Sequence, residues 1–151
     1  MAATDGTLGS TSTGTAIINI SKQNAVKITN LDDLDLGTAG FLSATATASD
    51  DVCVYSSTGG YNITITSANG TFQLEDDNTP TNIPYSLNWT AGATTAVTYN
   101  TAIVGLVGNQ SAVDCGGSTN ASFEVSVTAA DFNAADPGSY TDTLTLSVIP
   151  E

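Results

Sequence analysis

Apolar and polar residues alternate with a period of two along most of this chain, and the 3.6-residue period of an amphipathic helix is hard to find. The clearest run is Tyr61-Asn62-Ile63-Thr64-Ile65-Thr66-Ser67-Ala68, followed by Asn69-Gly70 and then Thr71-Phe72-Gln73-Leu74. Asn-Gly is the favoured pair for a two-residue type I′ hairpin turn. Such a turn sets Ser67 opposite Phe72 and Ile65 opposite Leu74, so that Tyr61, Ile63, Ile65, Phe72 and Leu74 share one face. Ile83, Tyr85, Leu87 and Trp89 alternate with Pro84, Ser86, Asn88 and Thr90. Pro84 has no amide hydrogen, which places an edge or a bulge there. Phe123, Val125 and Val127 alternate with Glu124, Ser126 and Thr128, and Leu144, Leu146 and Val148 with Thr143, Thr145 and Ser147. Near the N-terminus, 16–20 and 25–28 read as two short strands, or as one strand broken at residues 21–24. About seven short strands with turn signals between them predict an antiparallel β-sandwich.

Composition supports the same class. Ser and Thr make up about a quarter of the chain and Gly is plentiful, while strong helix formers are scarce. A length of 151 residues suits one domain with a hydrophobic core. No fixed-period repeat or internal linker interrupts it, and no run of eighteen apolar residues is available for a membrane helix.

Charge narrows the function further. Two lysines, Lys22 and Lys27, stand against 15 acidic residues, giving a net charge of −13 and a pI near 4.1. Nucleic acid is excluded as a partner, because binding its backbone rests on Lys and Arg displacing counterions. An anionic membrane surface is disfavoured for the same reason. With no histidine, Ser–His, Cys–His and His–metal chemistry is absent. Three acidic stretches, Asp32-Asp33-Leu34-Asp35, Asp50-Asp51 and Asp76-Asp77-Asn78, read as loops and could offer oxygen ligands to calcium. None has the Gly-centred loop and closing Glu of an EF-hand, and solvated carboxylates explain them. A glycosidase needs two carboxylates at a set separation, and fifteen acids supply such pairs by chance. Six Asn-x-Ser/Thr triplets, at Asn19, Asn62, Asn69, Asn88, Asn109 and Asn120, carry little weight in a chain so rich in these residues. Trp89 alternates with core positions and reads as core, leaving Tyr55 and Tyr99 as the exposed aromatic candidates. No catalytic constellation, metal site or cofactor motif emerges, and an enzyme is not expected.

The two cysteines, Cys53 and Cys115, are far apart and form no C-x-x-C. An oxidised pair suits an exported protein, and two separate buried thiols are the alternative. Met1-Ala2-Ala3-Thr4-Asp5 has neither the basic nor the apolar region of a signal peptide, and reads as a start codon placed on a mature exported sequence.

Four stretches, Val52-Cys53-Val54-Tyr55-Ser56, Tyr61-Asn62-Ile63-Thr64-Ile65, Asn82-Ile83-Pro84-Tyr85-Ser86-Leu87-Asn88-Trp89 and Asp114-Cys115-Gly116-Gly117, occur in the order seen in spore coat protein U domains. The closing run Asp136-Pro137-Gly138-Ser139-Tyr140-Thr141-Asp142-Thr143-Leu144-Thr145-Leu146-Ser147-Val148 resembles that family's ending, Pro-Gly-x-Tyr-x-Asp-x-Leu and a final strand. The resemblance runs from about Leu34 to the C-terminus. Residues 6–15 also look like the opening of related secreted single-domain members.

The family includes subunits of archaic (Csu-type) chaperone–usher pili. The resemblance therefore implies an immunoglobulin-like sandwich lacking its last strand, which an extended N-terminal segment of the next subunit completes after a periplasmic chaperone has held the groove open. Strand addition of this kind draws affinity from main-chain hydrogen bonds and specificity from alternate side chains. It implies an exported, non-enzymatic fibre subunit whose partners are copies of itself or related subunits, a chaperone and an outer-membrane usher. Residues 1–15 become an N-terminal extension and candidate donor segment, and 16–151 the single sandwich domain. Leu144, Leu146 and Val148 lie in the final strand beside the groove, and the cysteine pair is Cys53–Cys115. Two departures from the family pattern stand out: the first strand has no cysteine, and residues 4–15 supply only Leu8 to a donor. The candidate donor residues of one parity are Leu8, Ala16, Ile18 and Ile20. The alternative is a self-complete secreted binding module, adhesin-like, recognising a glycan with or without calcium.

Overall fold

The computed structural model describes residues 2–151. They form an antiparallel, immunoglobulin-like β-sandwich built on the alternation read above. One sheet has the order β1-β2-β9-β6-β7, from β1 (Val26–Thr29), β2 (Ala46–Ser56), β9 (Ala121–Val127), β6 (Ser86–Ala91) and β7 (Ala93–Ala96). The facing sheet has the order β10-β3-β8, from β10 (Leu144–Pro150), β3 (Gly60–Ser67) and β8 (Ile103–Val107). A small ribbon, β4 (Gln73–Leu74) with β5 (Ile83–Pro84), sits apart from both. One short helix, α1 (Ala129–Ala134), follows β9 and is capped by Thr128, whose hydroxyl accepts from the Asp131 amide. Among the described residues, no helix is long and apolar enough to cross a membrane.

The core lies between the two sheets, where every second residue points inward. Val52, Val54, Tyr61, Ile63, Ile65, Leu87, Trp89, Phe123, Val125 and Val127 are buried. Trp89 stacks on Phe123 across the β6–β9 pair with ring centroids 6.5 Å apart. Cys53 is joined to Cys115, pinning the loop before β9 onto the buried end of β2. Asn120 reinforces this join: its side-chain amide accepts from the Val54 amide and donates to the Val54 carbonyl, at 2.8 and 3.0 Å.

Three expectations are corrected. Asn69-Gly70 does turn the chain, with Gly70 at a φ of 78° and its amide donating to Ser67 O, but β3 does not pair with the residues that follow. Its neighbours are β10 and β8, while Gln73–Leu74 pairs with Ile83–Pro84. The seven-residue register with β10 offers far more ladder than a stub of two residues could. The 16–20 stretch is not a strand; Ala16, Ile18 and Ile20 share one parity with Ile17 on the other, but no neighbour supplies hydrogen bonds, and Ile18 and Ile20 are 95% and 98% exposed. Asp50 and Asp51 lie within β2 rather than in a loop, opposite Phe123 and Ser122 of β9.

The disulfide spans 62 residues of sequence. Replacing both cysteines with serine is expected to lower unfolding free energy by about 2–4 kcal/mol, through the loop-closure entropy of the unfolded chain. Urea titration checks it; an unchanged midpoint contradicts it.

Candidate functional site

The last strand, β10, has a neighbour on one side only. Which of its backbone groups are left over follows from the bonds just beyond the ladder. Ala68 N donates to Thr143 O, and Glu151 N to Gly60 O. Residues opposite one another in an antiparallel ladder alternate between bonded and non-bonded pairs. Thr145, Ser147 and Ile149 are therefore the residues bonded to β3, in register with Thr66, Thr64 and Asn62. Leu144, Leu146 and Val148 turn their N–H and C=O groups the other way, toward no hydrogen-bonded strand, although β1 packs near β10. Their side chains, by the same alternation, point into the sandwich, opposite Ser67, Ile65 and Ile63.

The wall facing this edge is residues 31–42, which leave β1 and run past β10 without forming a strand. This stretch makes no backbone–backbone hydrogen bond among the described residues and is held at its ends by side chains. The Asp32 amide donates to the Asp50 carboxylate at 2.9 Å. At the other end the Asn133 side chain both accepts from Leu42 N and donates to Leu42 O, at 2.9 and 2.8 Å. Between wall and edge lie two adjoining cavities of about 380 and 440 Å³. The first is lined by Leu34, Leu36, Phe123, Val125, Leu144 and Leu146, together with Asp32 and Asp33. The second continues past Leu74, Ile83, Val127 and Phe132 to the 138–142 stretch. Together they form an apolar groove beside an unpaired strand edge, with core residues as its floor.

Asp142 lines both cavities and marks the point where they meet. Its carboxylate accepts from the hydroxyls of Ser67 and Tyr85, each at 2.6 Å, and from the Thr143 amide at 2.7 Å. Burial, and then Asp142 itself, push the Tyr85 phenol well above its usual range. The run ahead of Asp142 is fastened just as tightly. Tyr140 donates its hydroxyl to the Asp136 carbonyl at 2.8 Å, a tyrosine corner at the entry to the last strand. Asp76 accepts from the Ser139 amide, and Thr141 exchanges two backbone bonds with Glu75, at 2.9 and 3.0 Å. The Asp76 carboxyl is held below the usual carboxylate range by the backbone amides of Asn78 and Ser139.

The groove brings Leu144 and Leu146 together with Asp142; Val148, one step further along the same edge, lies outside the lining of both cavities. The N-terminal residues lie elsewhere. Thr4 and Thr15 exchange two backbone bonds and close a small loop that carries Leu8 at full exposure. Ala16, Ile18 and Ile20 follow it as an exposed, irregular segment. Tyr55 and Tyr99 are half-buried, Tyr99 edge-on to Phe72 at 5.5 Å. Of residues 31–42 the sequence singled out only the acidic run Asp32-Asp33-Leu34-Asp35, as a loop and not as a wall, and the Ser67–Tyr85–Asp142 cluster was missed; the signal for the wall is the Leu34-x-Leu36 alternation.

No protein-family model matches the chain, and no curated protein matches it. Among solved structures it is similar to a chain of one described as "Chaperone-tip adhesin complex is vital for synergistic activation of CFA/I fimbriae biogenesis", at 17% identity with a TM-score of 0.57. The match covers 83% of this chain and 42% of that one, so this chain spans less than half the length of its neighbour. The likeness is one of fold.

A phenol whose pKa is raised on folding stabilises the fold below the unfolded value and loses that contribution as pH rises above it. Stability is therefore expected to fall above about pH 10, the ordinary tyrosine range. Tyr85→Phe is expected to flatten that fall, as read by thermal melts between pH 8 and 11; an equally steep fall in the variant contradicts the assignment.

Proposed function

We propose that this chain is an exported structural subunit of a bacterial surface fibre, of the archaic chaperone–usher kind that its closing motif resembles. Its groove is filled by a strand donated from another subunit, and before assembly by a periplasmic chaperone; an outer-membrane usher is the third partner. The observation that carries this reading is the pairing of opposites within one chain. Beside β10 is an apolar groove with one row of unbonded backbone groups. At the N-terminus is an exposed segment with alternating Ala16, Ile18 and Ile20 and no partner of its own. Each lacks what the other has. An exposed sheet edge templates pairing with another chain. Burying two isoleucines there is worth roughly 1.5–3 kcal/mol apiece before ordering costs. The similarity of fold to a chain from a fimbrial chaperone–adhesin complex supports the reading, as does the disulfide, which suits an oxidising compartment. The −13 charge forms a solvated exterior.

Within this reading the donor is residues 16–22, and the closed loop 4–15 that carries Leu8 stays outside the groove. The full chain is expected to form oligomers that survive unheated SDS electrophoresis and collapse on boiling, because dissociation exposes a sheet edge and an apolar groove together. Ile18→Ser with Ile20→Ser abolishes them, while deletion of residues 2–14 leaves them in place. A full chain that stays monomeric by light scattering, or oligomers indifferent to both substitutions, contradicts the proposal.

A further inference from the structure

The strand-donation reading leaves open which way the donated segment runs and how it is aligned. Four features restrict both. The unbonded backbone groups on β10 belong to even-numbered residues, which are also the ones facing inward. In an antiparallel pair, residues directly opposite share a face and exchange their bonds together, so the donor's inward residues lie opposite these. Ala16, Ile18, Ile20 and Lys22 are also of one parity, so a donor that buries Ile18 and Ile20, leaving Ile17 on its outer face, turns Lys22 inward as well. The two large side chains match the two positions that line a cavity, Leu144 and Leu146, and the small Ala16 matches Val148, which lines none. With Ile20 opposite Leu144 and Ile18 opposite Leu146, the next inward residue of the donor, Lys22, falls opposite Asp142.

We propose that Lys22 of one copy sits across from Asp142 of the next, and that this charged rung fixes the donated strand antiparallel to β10 in a single register. Lys22 is the only positive charge among residues 2–24, and the groove is lined by acidic residues with no base among them. Asp142 is already oriented by Ser67, Tyr85 and the Thr143 amide, and its position where the cavities meet leaves it facing the space a donor fills. Opposite charges directly across a ladder attract over Cβ separations of about 5 Å, within reach of a lysine. A donor running parallel to β10 carries Lys22 toward Val148, away from Asp142. The chain's own sequence thus holds both halves of a key whose match a strand slipped by two residues loses.

The two lysines of the chain make this directly readable. Assembled full-length protein, mixed from isotopically labelled and unlabelled copies, is treated with a zero-length carbodiimide and mapped by mass spectrometry. The expected product is a Lys22–Asp142 isopeptide joining labelled to unlabelled chains. Lys22→Gln is expected to speed dissociation of the oligomer roughly two- to five-fold, the range of a cross-strand charge pair, and to have no such effect in an Asp142→Asn background. A Lys22 link to Asp32 or Asp33, or equal effects of Lys22→Gln in both backgrounds, overturns the alignment while strand donation stands. A wild-type chain that never associates overturns both.

Discussion

A strand with a neighbour on one side only governs this molecule. β10 contributes Leu144, Leu146 and Val148 to the sandwich and, at the same residues, leaves the backbone unbonded on the side away from β3. Backbone polar groups beside apolar surface must be hydrogen-bonded or wet. A groove too apolar to hold water well and too polar along one edge to close by side-chain packing is met best by another strand. The wall of residues 31–42 cannot serve, because it is tied at its two ends to Asp50 and Asn133 and held away from the edge between them.

The residues leading into β10 explain why the groove keeps its shape. Tyr140 anchors the corner, Asp76 and Glu75 hold Ser139 and Thr141, and Asp142 ties the base of β10 to β3 and to Tyr85. Fixing an edge strand this firmly costs conformational freedom once, at folding, so that a docking strand orders chiefly itself. The disulfide and Asn120 play the same part at the opposite end of the sandwich, holding β2 to the loop before β9.

Part of this fold was legible in sequence because period-two alternation marks the buried face of β3, β6, β9 and β10; β7, exposed throughout, and β8 carry no such alternation and were not read as strands. Trp89, Phe123, Val125 and Leu146 lie where that pattern puts them. Pairing was less legible. The Asn69-Gly70 turn forms, yet the neighbour of β3 comes from residues 144–150, which no local pattern reveals. The 16–20 stretch is apolar enough for a strand but pairs with nothing, since an apolar run reports a face suited to burial and not the presence of a partner. Leu144, Leu146 and Val148 could be read as the inward positions of the last strand, and of these Leu144 and Leu146 line the groove. The wall of the groove could not be read, because residues 31–42 are irregular, and the Ser67–Tyr85–Asp142 cluster joins residues up to 75 positions apart.

Residue-resolved amide hydrogen exchange on monomeric and assembled full-length chain tests the central claim most directly. In the monomer, the amides of Leu144, Leu146 and Val148 are expected to exchange fast while Thr145, Ser147 and Ile149 are protected by β3, and assembly slows the first set to match the second. Equal protection of both sets in the monomer would mean that the edge is already paired, and the account of an open groove would be wrong.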